Sequence, residues 1–216
     1  MKLNADLGEH EPLARTRALM RLIDMANIAC GVHAGSHATM ERCVKLALEH
    51  GVEIGAHPGL AEKFGRGAAK ISPKELEGLI VGQVSELAAI AGARMRHVKL
   101  HGALYHAVEQ SAVLAKRYVE TVRGNFSRCR IVALAGGRVG ACCAKSGVKF
   151  LPEAFAERGY LDDGTLVPRG KPGDLITSPA NVAMRIRALV ETGSMAAVSG
   201  RMVRIAAATI CVHSDT

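Results

Sequence analysis

Six times along this chain a short apolar run stops at a polar signature that carries His, Asp, Glu or Lys, half of them with glycine in the signature. The six are Asn4-Ala5-Asp6, Cys30-Gly31-Val32-His33, Gly55-Ala56-His57-Pro58, Lys99-Leu100-His101-Gly102, Pro152-Glu153 and Cys211-Val212-His213-Ser214-Asp215. Short apolar runs suit strands buried on both faces. A strand that ends in a reactive side chain sets that side chain at a rim. A barrel of parallel strands gathers those ends at one face, and chemistry collects there. Six polar ends in one chain therefore point to one rim and one site.

The strand runs are 2–6, 25–30, 52–56, 97–100, 131–135, 149–151 and 205–212. Helical signals fall between them. Ser72-Pro73-Lys74-Glu75 reads as a capping box with Pro at the first helical position. Leu76, Leu79, Ile80, Leu87 and Ile90 follow at helical spacing, and Gly92 predicts a left-handed end. Val108, Ala112, Ala115, Val119 and Val122 predict one further helix, and Ser178-Pro179 opens another that closes at Gly193. Ser36 predicts the cap of a helix running to Gly51.

Strand–helix alternation implies parallel strands with right-handed crossovers. The polar ends fall on early, middle and late strands, whereas an open sheet concentrates them at a switch point. The fold class is therefore α/β, a seven-stranded (β/α) TIM-like barrel, as a single domain over residues 1–216. No helix follows the last strand. Its flank is expected to be bare unless another subunit, of this chain or a different one, covers it.

With 216 residues, 49% hydrophobic and 22% charged, the chain can bury a sizeable core. Met1-Lys2 leads straight into Asn4 and Asp6 with no apolar leader, and the run 205–212 is too short to span a bilayer. These features predict a cytoplasmic protein without membrane association. The cysteines at 30, 43, 129, 142, 143 and 211 make no C-x-x-C pair and read as reduced, mostly buried thiols. A net charge of +8 suits anionic small molecules. Aromatics at 3%, no Trp and dispersed Lys and Arg argue against nucleic acid.

Asn4 and Asp6 lie two apart on a strand and so share a face. Asp6 there is a general base, a metal ligand or the orienter of a histidine. Asn27 and His33 come from the second strand and its glycine-flanked loop, and His37 reads as structural. His57, held before Pro58, is an acid–base candidate. Arg66, between Gly65 and Gly67, suits a carboxylate or phosphate. Lys99 and His101 share a face, with Tyr105 nearby, and Asp6 or Glu153 is the expected partner of Lys99. Arg158 and Arg169 can join Glu153, and His213 with Asp215 closes the rim. Asp6, His33, His57, His101 and His213 offer metal-ligand chemistry, but their spacing matches no short metal motif, so no ligand set is assigned. There is no Walker A pattern and no G-x-G-x-x-G after a strand.

Taken together, residues 3–9, 26–35, 54–58, 98–105, 153–160, 166–169 and 209–215 strongly resemble the LamB/YcsF family, in family order across nearly the whole chain. The resemblance implies a barrel related to glycoside hydrolase and deacetylase barrels. It also implies ring opening of 5-oxo-L-proline to L-glutamate with ATP as cosubstrate, alongside B and C partner subunits; a divalent metal stays open. On this expectation Asp6 or Glu153 activates water, and His57 and His101 exchange protons with the ring nitrogen. Lys99, Arg66 and Arg158 hold the carboxylate or a phosphorylated intermediate. Asn4, Asn27, His33, Tyr105, Arg169, His213 and Asp215 complete the substrate site. The chain departs from the family pattern at Ser36, Leu100, Gly67 and Ser214. Two other readings stand beside it: a metal-dependent deacetylase-like hydrolase, and a non-catalytic barrel that binds partners.

Overall fold

The computed structural model describes residues 1–61 and 70–213. Seven strands close a barrel in chain order: β1 (Lys2–Leu7), β2 (Met25–Ala29), β3 (Glu53–His57), β4 (Met95–Val98), β5 (Arg130–Leu134), β6 (Phe150–Phe155) and β9 (Thr209–Cys211). Every pairing is parallel, and β9 seals the seam between β6 and β1. β7 (Ser194–Ala196) and β8 (Met202–Arg204) form a separate antiparallel hairpin. The helices are α1 (Leu13–Met20), α2 (His37–His50), α3 (Pro73–Ala91), α4 (Gly102–Gln110), α5 (Ala112–Asn125), α6 (Arg138–Ser146) and α7 (Pro179–Thr192).

Alternation along the strands separates two chemistries. Ala5, Leu7, Ala26, Ile28, Ile54, Val98, Ile131 and Ile210 belong to the apolar core shared with the helices. The alternate residues point into the barrel, where polar groups stack in layers. At the bottom, Glu53 accepts from Lys2 Nζ and Arg130 Nη2. Above them Asn27 Oδ1 accepts from His97 Nε2 at 2.9 Å, and Asn4 Nδ2 donates to Thr209 Oγ1 at 2.9 Å. Asp6 and Lys99 form the next layer, joined at 2.9 Å. Gly55 belongs to the His97 layer because it has no side chain: a Cβ there would lie 2.0 Å from His97 Nε2.

Several helix boundaries follow from local chemistry. Ser72 and Glu75 make the reciprocal capping box, with Pro73 in the first turn. Ser36 Oγ accepts from Thr39 N at the start of α2, and Gly51 and Gly193 end α2 and α7 in the left-handed conformation. Gly92 differs from expectation. At φ 57° and ψ −140° it leaves the left-handed helical region and feeds a short 3-10 turn. The single helix expected across 108–122 is two, because Ser111 breaks it and caps α5 by accepting from Leu114 N.

The last strand is shorter than expected, since 205–208 serve as the return from the hairpin. Its flank is also not bare. Ile210, which faces outward, is only 4% exposed and shares the core with Leu189 of α7, Met195 of β7 and Ile205. Thr209 and Cys211 are buried as well, so the last strand is covered within this chain, without a second subunit.

Candidate active site

The C-terminal ends of the strands surround a pocket walled by Asp6, Glu9, His57, His101, Arg169 and His213. Asp6 is its centre. Asn27 Nδ2 donates to Asp6 Oδ1 at 2.8 Å and Lys99 Nζ donates to the same oxygen at 2.9 Å. The other oxygen, Oδ2, lies 3.2 Å from His57 Nε2 and 3.5 Å from His213 Nε2. Burial alone would raise the Asp6 carboxyl, but His57 and Lys99 overturn that and hold it well below the usual carboxylate range. The group is a fixed carboxylate with one oxygen anchored and one turned to the pocket.

Lys99 is fully buried and touches three groups besides the Asn4 amide: Asp6, Glu153 Oε1 at 3.0 Å and Cys211 Sγ at 3.0 Å. Burial opposes its charge, yet Asp6, Cys211 and Glu153 together hold the ammonium well above its ordinary value. Burial pushes the Cys211 thiol up to about 11, against the pull of the Lys99 ammonium beside it. Glu153 has no exposed surface and does not wall the pocket. Its carboxylate lies beneath, against Lys99, and together with burial it pushes the Tyr105 phenol well above its ordinary value.

Histidines fill the rim. His57 Nδ1 lies 2.9 Å from the Lys99 carbonyl, which can only accept, so Nδ1 carries a proton and Nε2 faces the pocket. Around that Nε2 stand His101 Nδ1 at 3.1 Å and Glu9 Oε1 at 3.7 Å. Glu9 Oε1 is also 3.0 Å from His101 Nδ1 and 3.2 Å from His33 Nε2. Burial would raise the Glu9 carboxyl, but the contacts from His101 and His33 leave it strongly depressed. His33 is driven down to about 4 by burial. On the opposite wall, Glu157 Oε1 makes a close hydrogen bond with His213 Nδ1, and Phe155 stacks on the ring. Burial works against a charged His213. Cys211, Glu157 and Asp6 outweigh it and hold the imidazolium well above its ordinary value.

Of the residues expected at the site, Asp6, His57, Lys99, Tyr105, His101, Arg158, Arg169 and His213 line the pocket. Asn4 and Asn27 lie one layer below, as the amides that orient Asp6 and one another. His33 stands behind, stacked on His101 with centroids 4.0 Å apart. Arg158 is a clamp as well as a wall: its Nε donates to Asp174 O and its Nη2 to Val167 O, tying down the loop that carries Arg169. Burial and the nearby Arg169 push it down to about 10. Arg66 and Asp215 lie outside the described residues.

The LamB/YcsF family model matches residues 1–216. The chain belongs to the LamB/YcsF family. Among relatives in this family, the 5-oxoprolinase A subunit of Pyrococcus abyssi is 42% identical over 99% of this chain and 87% of its own length. That of Pyrococcus horikoshii is 40% identical over the same shares. The crystal structure of a lactam utilization protein from Thermus thermophilus matches with a TM-score of 0.90 at 35% identity, covering 99% of this chain and 90% of that one.

Two carboxylates of this LamB/YcsF site, Glu9 and Glu157, escape a reading based on strand ends alone. Glu157 could have been found by parity, since Glu153, Phe155 and Glu157 alternate toward the same side as the chain leaves β6. Glu9 has no such signal. Gly8, at φ 74°, turns the chain after β1 and breaks the period, and Glu9 swings back over the mouth.

Proposed function

We propose that this chain is the A subunit of an ATP-dependent 5-oxoprolinase, opening the lactam of 5-oxo-L-proline to L-glutamate with B and C partner subunits. The observation that carries the reading is the pairing, at one pocket, of a carboxylate and an imidazole: Asp6 Oδ2 and His213 Nε2, 3.5 Å apart. The names of the relatives supply the substrate class.

Lactam hydrolysis needs three things: a water made nucleophilic, a carbonyl made electrophilic and a proton for the departing nitrogen. Asp6 Oδ2 is placed to accept a proton from water as its oxygen bonds to the ring carbonyl carbon. As the carbon–nitrogen bond breaks, His213 Nε2 delivers a proton to the nitrogen, and the products are a carboxylate and an amine. Glu157 keeps the His213 ring oriented and charged, and Lys99 keeps Asp6 ionised. Arg169, half-buried on the pocket wall, is the cation for the substrate carboxylate. In this assignment His57 and His101 hold geometry around Glu9 rather than exchange protons with the ring nitrogen.

The lactam is stable, so coupling to phosphoryl transfer makes chemical sense. The sequence has no Walker A pattern, and we assign nucleotide handling to the partner subunits. The cysteines are unpaired, which fits a reducing, ATP-supplied cytoplasm. Glutamate release from 5-oxoproline and ATP, in a complex reconstituted with B and C subunits, tests the reading. Asp6→Asn is expected to lower kcat at least 100-fold, the lower end of what positioned acid–base groups contribute. Full turnover by Asp6→Asn, or release that does not require this chain, would sink it.

A further inference from the structure

Glu9, His33, His57 and His101 come from four consecutive strand ends, those of β1 to β4, and bring one donor atom each to a common point. The four atoms are Glu9 Oε1, His33 Nε2, His57 Nε2 and His101 Nδ1. Their separations include 3.0 Å, 3.2 Å and 3.7 Å from Glu9 to the three histidines, and 3.1 Å between His57 and His101. A tetrahedral ion with arms of about 2.0–2.1 Å sets its ligand atoms about 3.3 Å apart. The cluster is therefore already close to the edge lengths such an ion requires.

Donor chemistry points the same way. With Nδ1 committed to the Lys99 carbonyl, His57 turns Nε2 toward Glu9 Oε1 and Asp6 Oδ2, both carboxylate oxygens. Two buried carboxylates that converge on one ring nitrogen call for positive charge between them, carried by a proton or by an ion. The same Nδ1–H bond to a carbonyl is the outer-shell support that metal-ligating histidines use to fix tautomer and ring orientation. The other two rings are fixed by packing. His33 and His101 stack with a 13° interplanar angle, and Gly59 lies against both, where a Cβ would come within 2.7 Å of His33 Nδ1 and 2.9 Å of His101 Cβ.

We propose that Glu9, His33, His57 and His101 form a binding site for one divalent first-row transition ion of the zinc type. Three imidazoles with one carboxylate favour such ions over magnesium or calcium, which take oxygen ligands. The second group of potential ligands, Asp6, Cys211 and His213, does not make a companion site. The Lys99 ammonium already stands between Asp6 and Cys211, at 2.9 Å and 3.0 Å. When bound, the ion supplies a Lewis acid beside Asp6.

The site is tested on the full chain alone, without ATP, 5-oxoproline or partner subunits, so its outcome is separate from that of the proposed reaction. Protein stripped with chelator and dialysed is titrated with Zn²⁺ by calorimetry and with Co²⁺ by visible absorption. One ion per chain, with the d–d spectrum of a tetrahedral site, is expected. Zn²⁺ is also expected to raise the thermal midpoint of the wild-type chain, a readout that needs no variant. Glu9→Gln and His33→Gln are expected to weaken the ion by more than the roughly 10–100-fold that loss of an outer-shell partner costs. His37→Gln, on an exposed histidine of α2, is expected to bind as wild type. No stoichiometric ion on the wild-type chain, or unchanged affinity in folded Glu9→Gln and His33→Gln, would overturn the proposal.

Discussion

Lys99 holds together two carboxylates that would otherwise repel each other in the barrel interior, with Asp6 Oδ1 at 2.9 Å and Glu153 Oε1 at 3.0 Å. Removing the ammonium leaves buried negative charge without a partner, a loss of about 3–5 kcal/mol for pairs of this kind. Lys99→Met is expected to lower the unfolding free energy by that order in urea titrations. Adding Glu153→Gln to it is expected to recover part of the loss, because only one buried carboxylate then remains. Simple additivity of the two changes would mean that Lys99 and Glu153 are not energetically coupled. A close-approach requirement operates at Gly55. An alanine there would drive its Cβ into the His97 ring, which is anchored to Asn27 and cannot swing aside without breaking the polar column. Gly55→Ala is expected to cost about 1–3 kcal/mol or more and to lower the thermal midpoint. An unchanged midpoint would show that the His97 layer is soft.

Elements differ in how plainly their sequences announced them. The barrel strands were legible because all but β5 couple an apolar outward row to a polar end, as Ala5 and Leu7 do beside Asn4 and Asp6. α3 was legible because Ser72, Pro73 and Glu75 carry its start and Leu76, Ile80, Val84 and Leu87 its buried stripe. α1 and α6 were not, since each buries only two residues, Thr16 and Met20 in one and Val139 and Cys143 in the other. Two positions make no period. The β7–β8 hairpin was illegible for the same reason, with Met195 its one buried side chain. At the site, residues on strands kept their parity, whereas Glu9 followed a glycine turn that sequence alone does not resolve. Ser36 departs from the family pattern, yet its hydroxyl caps α2 as an aspartate would. Ser72→Ala removes one half of the α3 capping box and is expected to cost about 1 kcal/mol. Equilibrium denaturation measures it, and a change below a few tenths would mean that packing of the apolar stripe alone sets the start of α3.

The molecule as a whole keeps its histidines in opposite states, and that sets its response to pH. His97, fully buried with Lys99 and His57 as cationic neighbours, is pushed down to about 3 chiefly by burial, and His106 is pushed down to about 4 by burial with Arg158 and Arg169. In the unfolded chain both take a proton near pH 6.5. Between about pH 6.5 and pH 4 the unfolded state therefore binds protons that the folded state refuses, and stability falls as pH falls. Asp6, depressed by His57 and Lys99 against its burial, extends the loss to lower pH, because its stabilisation is present above its unfolded value and vanishes as it protonates. His213 works in the other direction: raised by Cys211, Glu157 and Asp6 against its burial, its contribution is complete below about pH 6.5. That contribution fades as pH climbs through its folded value. The unfolding free energy is thus expected to drop on the acid side by about 1.4 kcal/mol per pH unit for each refused proton. His106→Gln should remove one proton from that slope without touching the polar column around Asp6. Urea titrations at a series of pH values from 4.5 to 6 (roughly the window between the folded and unfolded values of His106) would measure both slopes. Equal slopes in wild type and His106→Gln would show that His106 takes its proton in the folded protein as readily as in the unfolded chain, and that the rim near Arg158 and Arg169 is wetter than its burial implies.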